Sequence, residues 1–268
     1  MFQFKYKDID FSHKLDRASS PQDEYWKHMH PFNEIVFFVK GAAEYTVEAQ
    51  TQKLQKGSLV FIRSGKFHFA TVDKGQDYER YVLKFPDSAI PPYLKEKFDE
   101  ISPFFTSGYA YDYLFDELDS DFELMNVSEE DIRTLFLCIL VKLLVILSHQ
   151  QEKAEFDTDP VSNQILLYVN QHIKDDLSLS SIAAALNYSQ SYLANLFKKK
   201  MHSSLMQYIR YRKCILAYKM VSAGEKPQTV ASNLGFKEYS TFFRAYKSII
   251  GVAPSDTEKA NPVDLKER

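Results

Sequence analysis

The first ninety residues contain short runs of aromatic and β-branched residues, separated by glycine-containing or polar turns. This pattern is typical of strands in a β-sandwich or small barrel. The predicted strands are residues 34–39, 43–47, 58–62 and 80–85. Pro86, Pro91 and Pro92 then end the strand pattern, because proline interrupts regular pairing. We therefore expect a β-rich unit over residues 1–92.

Beyond these prolines the apolar spacing becomes helical. Residues 93–101 predict a short helix, whereas residues 104–124 are ambiguous. A stronger helix is predicted to begin after Asn126 or Ser128 and to extend to about Gln151, with acidic residues in its first turn, where they suit the helix dipole. Its apolar stripe is Ile132, Leu135, Phe136, Ile139, Leu143, Ile146 and Leu147. Because a barrel covers only one side of such a helix, we expect residues 93–151 to form a dimerisation region and the chain to be a homodimer.

The rear of the chain is helical throughout and contains an internal repeat. Residues 152–160 predict a linker, residues 161–257 a helical domain, and residues 258–268 a loose tail. The segments Ile182-Ala183-x-x-Leu186 and Leu193-x3-Phe197-Lys198 recur as Val230-Ala231-x-x-Leu234 and Phe242-x3-Tyr246-Lys247. Each copy predicts a short helix, a tight turn at Asn187 or Gly235, and a longer second helix.

Charge separates the two halves of the chain. Residues 1–160 carry 18 Lys/Arg and 28 Asp/Glu, a balance of −10, whereas residues 161–268 carry 15 and 8, a balance of +7. An acidic front and a basic rear indicate that only the rear meets a polyanion.

The location is predicted from what the sequence contains. The first residues show no secretory signal, and the most apolar run, residues 135–147, is too short for a membrane span. Cys138 and Cys214 are predicted to be core thiols rather than a disulfide. We expect a cytoplasmic protein that contacts no membrane.

Further residues extend the repeat into a longer pattern. They are Leu179-x-x-Ile182-Ala183, Ser189-x-Ser191-Tyr192-Leu193, Phe197-Lys198-Lys199, Tyr208-Ile209-Arg210, Leu234-Gly235-Phe236 and Gly251-Val252-x-Pro254. Over residues 177–255 this pattern closely resembles the C-terminal domain of AraC/XylS-type transcription regulators. The resemblance implies a double helix-turn-helix whose two second helices enter adjacent major grooves of double-stranded DNA. It also implies a contact with RNA polymerase if the protein is an activator.

The resemblance carries base-facing positions over to the start of each second helix. They are Gln190, Ser191, Ala194 and Asn195 in the first unit, and Tyr239, Ser240, Phe243 and Arg244 in the second. Asn195 can pair with adenine and Arg244 with guanine, whereas Ala194 offers only a methyl group. Phe243 stands where a small polar residue is common, which weakens base reading there. Lys198, Lys199 and Lys247 are expected to hold phosphates.

Two motifs in the front unit have a specific spacing. They are His28-x-His30-x3-Glu34-x6-Gly41 and Gly57-x5-Arg63-x-Gly65-x2-His68. Both resemble the motifs of the cupin barrel, with Arg63 in place of the usual proline and Val72 in place of asparagine. In metal-binding cupins the three histidines and the glutamate are ligands, and such a donor set suits zinc, iron, nickel or manganese. Because the second motif departs from the pattern, we predict no metal and no other cofactor.

The interior of the barrel is the predicted pocket for a small-molecule effector. Its candidate residues are Trp26, His28, His30, Glu34, Tyr45, Arg63 and His68. The sequence thus predicts an α+β chain of two domains, an N-terminal cupin-like β-barrel with appended helices and a C-terminal all-α double helix-turn-helix. Two functions remain open: an effector-responsive regulator without enzymatic activity, and a metal-dependent cupin enzyme or metal sensor fused to a DNA-binding module. The resemblance favours the first, with a sugar as one candidate effector; it leaves activation or repression open.

Overall fold

A computed structural model describes residues 1–17, 28–100, 102–105, 111–123, 128–150, 157–201 and 203–260. Its first part is rich in strands and its last part is helical, which confirms the predicted α+β class. Trp26, most of the predicted linker and residues 261–268 of the predicted tail lie outside the described residues.

The described residues of the front part form two antiparallel sheets, to which a short strand from residues 157–158 is added. Their strands are β1 (Phe2–Tyr6), β2 (Ile9–Arg17), β3 (Asn33–Gly41), β4 (Ala43–Val47), β5 (Gln50–Lys53), β6 (Leu59–Ile62), β7 (His68–Val72), β8 (Asp77–Phe85), β9 (Phe104–Phe105) and β10 (Asp157–Thr158). One sheet has the order β1-β2-β8-β3-β6-β9 and the other β10-β5-β4-β7. Apolar side chains of both sheets, among them Val36 of β3 and Tyr45 of β4, share one core. The four strands predicted from the sequence are present, whereas β1, β2, β5, β7, β9 and β10 were not predicted. Of these, β9 lies in the segment left ambiguous and β10 in the predicted linker.

In the part of the chain that the structure describes, three helices cover the outer face of the larger sheet. They are α1 (Pro92–Glu100), α2 (Asp112–Glu123) and α3 (Glu129–Ser148). Ser128 caps α3, because its side chain accepts from the Asp131 N–H while the Asp131 carboxylate accepts from the Ser128 N–H. Phe136 of α3 stacks on Phe11 of β2 with ring centroids 4.9 Å apart.

The burial of side chains along α3 differs in two ways from the sequence-based prediction. Most of its predicted apolar stripe, including Leu143, is buried within a single chain by the sheet and the neighbouring helices, so this stripe leaves little for a partner copy to cover. The predicted core thiol Cys138 is exposed on the opposite side of the helix, whereas Cys214 is buried as predicted. A dimer would therefore have to form through the outward face of α3.

Within the described residues of the rear, six helices are present, and capping residues mark the ends of several of them. They are α4 (Pro160–Gln171), α5 (Leu179–Ala185), α6 (Gln190–Met201), α7 (Leu205–Ser222), α8 (Pro227–Asn233) and α9 (Tyr239–Ile250), followed by a 3-10 turn (Pro254–Lys259). Ser178 and Ser204 cap α5 and α7, and Gly251 ends α9 in the left-handed conformation. The turns of the two repeats match as well, because Asn187 and Gly235 both have a positive φ, of 58° and 68°.

Helix α7 holds the two repeats together. Tyr208 and Ile209 pack on the core of the first unit, and Ile215 and Ala217 pack on the core of the second. The buried Lys213 ammonium donates 2.7 Å hydrogen bonds to the carbonyl oxygens of Asp175 and Leu234. It thereby links the loop after α4 to the turn of the second unit.

Helix α7 also binds the front of the molecule. The Tyr208 hydroxyl donates to Glu48 Oε2 at 2.8 Å, and Arg212 donates to the carbonyl oxygen of Gly65. Lys219 pairs with Asp87 at 2.7 Å. Burial alone would raise the pKa of Asp87, but the charge of Lys219 holds it below its ordinary value. Barrel and helices thus meet through specific polar contacts.

Among the helices of the described residues, none combines the length and the apolar character that crossing a membrane requires.

The turn at Gly235 gives a test of this packing. A Cβ there would lie 2.8 Å from the carbonyl oxygen of Lys174 and 2.9 Å from the backbone of Asp175. Gly224 also has a positive φ, of 94°, but no described atom lies within 4 Å of its Cβ position. We expect Gly224→Ala to cost about 1 kcal/mol from backbone strain alone, and Gly235→Ala at least about 2 kcal/mol. Urea unfolding of both variants measures the difference, and equal losses would show that the contact with Asp175 is unimportant.

Candidate functional site

The second helix of each repeat packs on the core of its unit along one face and is exposed to solvent along the other, which is called its open face below. The Ser189 hydroxyl accepts from the Tyr192 N–H at 3.1 Å at the start of α6. Leu193 and Phe197 bury the inner face of α6, and Phe242 and Tyr246 bury the inner face of α9. Each helix therefore presents its remaining face to solvent in a fixed orientation.

The predicted DNA-facing residues lie on these open faces. Nine of them are exposed: Gln190, Ser191, Asn195, Lys198, Lys199, Tyr239, Ser240, Arg244 and Lys247. Ala194 and Phe243 are only partly exposed. Three lysines end α6, where positive charge also suits the helix dipole. The arrangement provides polar and cationic groups on the second helix of each repeat, as contacts to a phosphate backbone and to base edges require.

In the barrel, the structure brings together four of the predicted effector residues: His28, His30, Glu34 and His68, called the histidine cluster below. One ligand atom of each residue lies within 4.8 Å of those of the other three. Three chain segments meet here, since His28 forms a β-bridge with His68 at the start of β7 and Glu34 belongs to β3. The ring centroids of His28 and His68 are 4.2 Å apart.

Burial dominates the electrostatics of the histidine cluster. His30, Glu34 and His68 are each at most 5% exposed. Burial lowers the pKa of His30 and, together with the neighbouring His28, holds that of His68 well below its usual range. Burial alone would raise the pKa of Glu34, but the hydrogen bond from His30 and the charge of Lys84 hold it far below its ordinary value. Burial thus disfavours the charged form of His30 and His68, whereas the hydrogen bond from His30 and the nearby Lys84 favour the carboxylate form of Glu34.

The other predicted effector residues are not part of the cluster. Tyr45 is buried and stacks on His68, with ring centroids 6.2 Å apart. Arg63 instead lines a polar cleft of about 910 Å³ between barrel and helices, together with Lys66, Arg212 and Lys219. The described members of the predicted effector pocket therefore lie in two separate sites, at or beside the histidine cluster and in the polar cleft.

A second cleft, of about 670 Å³, lies between the barrel and α9; it is called the interdomain cleft below. It is lined by His28, Met29, Phe67, Ser203, Gln207, Tyr208, Arg210, Tyr211, Thr241, Arg244, Ala245, Ser248 and Ile249. Of these described lining residues, Arg210 and Arg244 are cationic and none is acidic. One end of the cleft therefore touches the histidine cluster and the other a predicted base reader.

Sequence reasoning missed most of this cleft. Met29 and Phe67 belong to barrel segments, and Arg210 and Tyr211 to α7. Met29 and Phe67 adjoin the motif histidines, and that adjacency is the signal that could have pointed to them. The residues of α7 and α9 carry no such signal, because only the packing of the two domains brings them to the barrel.

Solved structures of similar proteins extend over both parts of the chain. The structure of ToxT from Vibrio cholerae with an unsaturated fatty acid bound covers 98% of this chain and 100% of its own, with a TM-score of 0.41 and 14% identity. The C-terminal domain of AraT, a response regulator from Geobacillus stearothermophilus, covers 38% of this chain and 85% of its own, with a TM-score of 0.37 and 24% identity.

Sequence comparisons assign the family. A model of the AraC-like ligand binding domain matches residues 13–140, and a helix-turn-helix domain model matches residues 182–260. The Msm operon regulatory protein of Streptococcus mutans is 23% identical over 84% of this chain and 83% of its own length. The multiple antibiotic resistance protein MarA of Escherichia coli is 31% identical over 39% of this chain and 84% of its own length. The chain therefore belongs to the AraC family of transcription regulators, with an N-terminal ligand-binding domain and a C-terminal helix-turn-helix DNA-binding domain.

Proposed function

We propose that this regulator reads DNA with the open faces of α6 and α9 and that its small-molecule effector occupies the interdomain cleft. The observation that carries this proposal is the position of Arg244, which lies on the open face of α9 and also lines the cleft. A ligand in the cleft can therefore change the contact between Arg244 and DNA without a long-range rearrangement of the protein.

The lining of the cleft indicates the chemical class of the effector. Met29, Phe67 and Ile249 offer apolar surface, and Arg210 and Arg244 offer positive charge. Guanidinium groups bind carboxylates and phosphates well because they donate in a planar fork. We therefore propose a small anion with an apolar part, whose charged end contacts the two arginines. A neutral sugar supplies no charge that could pair with these two arginines.

The regulator acts, in this proposal, by binding and not by catalysis, and it works in the cytoplasm. Its relatives are transcription regulators, and the features described above support binding to DNA and to a ligand. Contact with RNA polymerase, and the choice between activation and repression, stay predictions.

We also propose that two copies pair through the outward face of the helices on the barrel. Val141 and Val145 of α3 are partly exposed beside the exposed Cys138, and Tyr113 of α2 is 44% exposed. Lys142 links the two helices, since its ammonium lies 4.7 Å from the Tyr113 ring. A symmetric dimer through this face would bring four second helices to two DNA half-sites.

The division between base readers and phosphate holders can be tested on DNA. We expect Arg244→Ala to cost about 1–3 kcal/mol and to relax preference at one base pair, because a base contact is lost. Lys247→Ala should weaken binding to all sequences alike and reduce the salt slope by about 1, because it removes one phosphate contact. Titrations of operator variants at several salt concentrations provide the measurement. If both variants scaled all affinities equally, the division would be wrong.

The site and class of the effector can be tested by thermal stabilisation, since a ligand of the native state raises its melting temperature. We expect small carboxylates or phosphates with an apolar part to stabilise the chain more than neutral sugars do. Ser248→Trp, which fills the cleft from an exposed position, and Arg210→Gln should abolish this effect. Ser222→Trp, exposed but outside the cleft lining, is the matched control. Compounds that still raise the melting temperature of both cleft variants would show that the effector binds elsewhere.

The proposed dimer can be tested by sedimentation. Val141→Arg should raise the dimer dissociation constant about tenfold or more, because it places an unpaired charge in the interface. Thr71→Arg, at an exposed position on β7 of the other sheet, is the control and should leave the dimer intact. A folded monomer of the unmodified chain at micromolar concentration contradicts the assembly.

A further inference from the structure

The polar cleft between the barrel and the helices is separate from the DNA-reading surface and from the proposed effector site. Its volume of about 910 Å³ is within the range of pockets that hold small molecules. The loop between β6 and β7 lines it from the barrel, and α4 and α7 line it from the helical part. Among the described lining residues, it shares none with the interdomain cleft. The two clefts can therefore be tested independently.

Of the described residues that line the polar cleft, four are cationic, two from each domain. The Lys66 N–H donates to the Arg63 carbonyl oxygen at 3.0 Å, and this turn brings both side chains to the barrel side of the cleft. Arg212 and Lys219 belong to α7, where a separation of seven residues places both on one face of the helix. Cations that are distant in sequence therefore converge on one cavity.

The two cations of α7 are held in place by the protein. The Arg212 guanidinium donates to the carbonyl oxygen of Gly65 and, at 2.9 Å, to Asn170 Oδ1. The Lys219 ammonium pairs with Asp87 at 2.7 Å. Ordering a side chain is one of the costs of binding, and here the fold has already met it. These groups are therefore arranged for a ligand before it arrives.

Positive charge exceeds negative charge around the polar cleft. Two carboxylates accompany the four cations, since Glu48 lines the cleft and Asp87 pairs with Lys219. Glu48 also accepts hydrogen bonds from the Phe67 N–H at 2.9 Å and from the Tyr208 hydroxyl at 2.8 Å. The surplus within this set is two positive charges. A phosphate monoester, which carries about −1.5 to −2 at neutral pH, matches this surplus better than a single carboxylate does.

Buried polar atoms beside the polar cleft point to a polar occupant. Gln50 Oε1, Ser64 Oγ and Arg212 Nε are buried and form no hydrogen bond with the described residues. All three residues line the cleft. Nearly all buried polar groups in folded proteins have a hydrogen-bond partner, and an unmade bond is costly. A ligand with several donors and acceptors would supply the partners that small side-chain adjustments can reach.

The rest of the lining indicates what carries the phosphate. Asn163 and Asn170 of α4 offer amide groups, and Ser102 offers a hydroxyl group. Such groups both donate and accept, as the hydroxyl groups of a ligand require. Leu167 of α4 adds an exposed apolar side chain that can pack on a carbon skeleton. The lining thus suits a small molecule rich in hydroxyl groups.

We propose that the polar cleft binds a phosphate monoester rich in hydroxyl groups, such as a sugar phosphate, as a second ligand beside the effector. Its phosphate contacts Arg63 and Lys66 of the barrel and Arg212 of α7, because these groups donate strongly to phosphate oxygens. Its hydroxyl groups contact the amides of α4. Since the ligand touches both domains, it stabilises the arrangement in which barrel and helices are docked.

The first experiment measures binding to the full chain by isothermal titration calorimetry in buffer free of phosphate and sulfate. The probes are inorganic phosphate, glycerol 3-phosphate and glucose 6-phosphate, and glucose and gluconate are the matched compounds without phosphate. We expect glycerol 3-phosphate or glucose 6-phosphate to bind at least about tenfold more tightly than glucose and gluconate, and to raise the melting temperature. The proposal is wrong if none of the three phosphates binds at about 10 mM, or if gluconate binds as tightly as they do.

Variants then locate the phosphate. Arg63→Gln and Lys66→Gln should each weaken binding of the phosphorylated probe about tenfold or more, because each removes a charge-assisted hydrogen bond. Two controls remove an exposed lysine elsewhere: Lys74→Gln on the barrel outside the cleft lining, and Lys199→Gln on the DNA-facing end of α6. Both should leave the affinity unchanged. Equal affinity in all four variants, or a loss in Lys199→Gln alone, would overturn the assignment to the polar cleft.

A further variant separates this proposal from that of the effector site. Arg210→Gln should not affect binding of the phosphorylated probe, because Arg210 lines the interdomain cleft. Loss of binding in this variant would show that the phosphate binds there instead.

Hydrogen exchange of the unmodified chain provides evidence that does not depend on the folding of any variant. The bound probe should slow amide exchange in residues 63–66 and 163–170, on the two sides of the polar cleft. Slower exchange confined to α9 and its surroundings would contradict the proposal.

Discussion

The packing of helix α7 is the constraint on which the two-domain structure depends. One side of this helix completes the hydrophobic core of the first helix-turn-helix unit, and a later turn completes that of the second. Between them the buried ammonium of Lys213 is tied to two backbone carbonyls. Such a charge is tolerated in a protein interior only where its hydrogen bonds are made, so it fixes the backbone around it. The spacing of α6 and α9 follows from this one helix.

The same helix connects DNA reading to the barrel. Tyr208, Arg212 and Lys219 all contact barrel residues, and between these contacts and α9 lies the interdomain cleft. A movement of the barrel therefore acts directly on the helix that sets the spacing of the two second helices. This explains how a ligand at the barrel can influence a surface formed by a separate domain.

The sequence was informative wherever structure is local. The repeat and its two turns, at Asn187 and Gly235, predicted the rear domain closely, because a tight turn between two helices depends on residues that are close in sequence. The spacing of the barrel motifs predicted the histidine cluster in the same way. Strand β5 was missed because its sequence, Gln50–Lys53, contains no apolar residue and is held by its neighbours β4 and β10.

Contacts between segments that are far apart in the sequence could not be predicted from such local patterns. The stripe of α3 looked too wide for one chain, yet α1, α2 and the sheet cover it together, and no local pattern shows how many elements converge on a helix. The interdomain cleft joins His28 to Arg244 only because two domains dock. Its location is a property of the assembled chain.

The shared position of Arg244 has a consequence for the balance between DNA and effector in the cell. If a bound anion changes the affinity for DNA by some factor, then bound DNA changes the affinity for the anion by the same factor, because the coupling free energy is reciprocal. An anion that draws Arg244 away from DNA would thus bind operator-bound protein more weakly than free protein. The effector concentration needed for half-maximal response would then rise with the number of operator copies, so that gene dosage alone would shift the threshold of the switch.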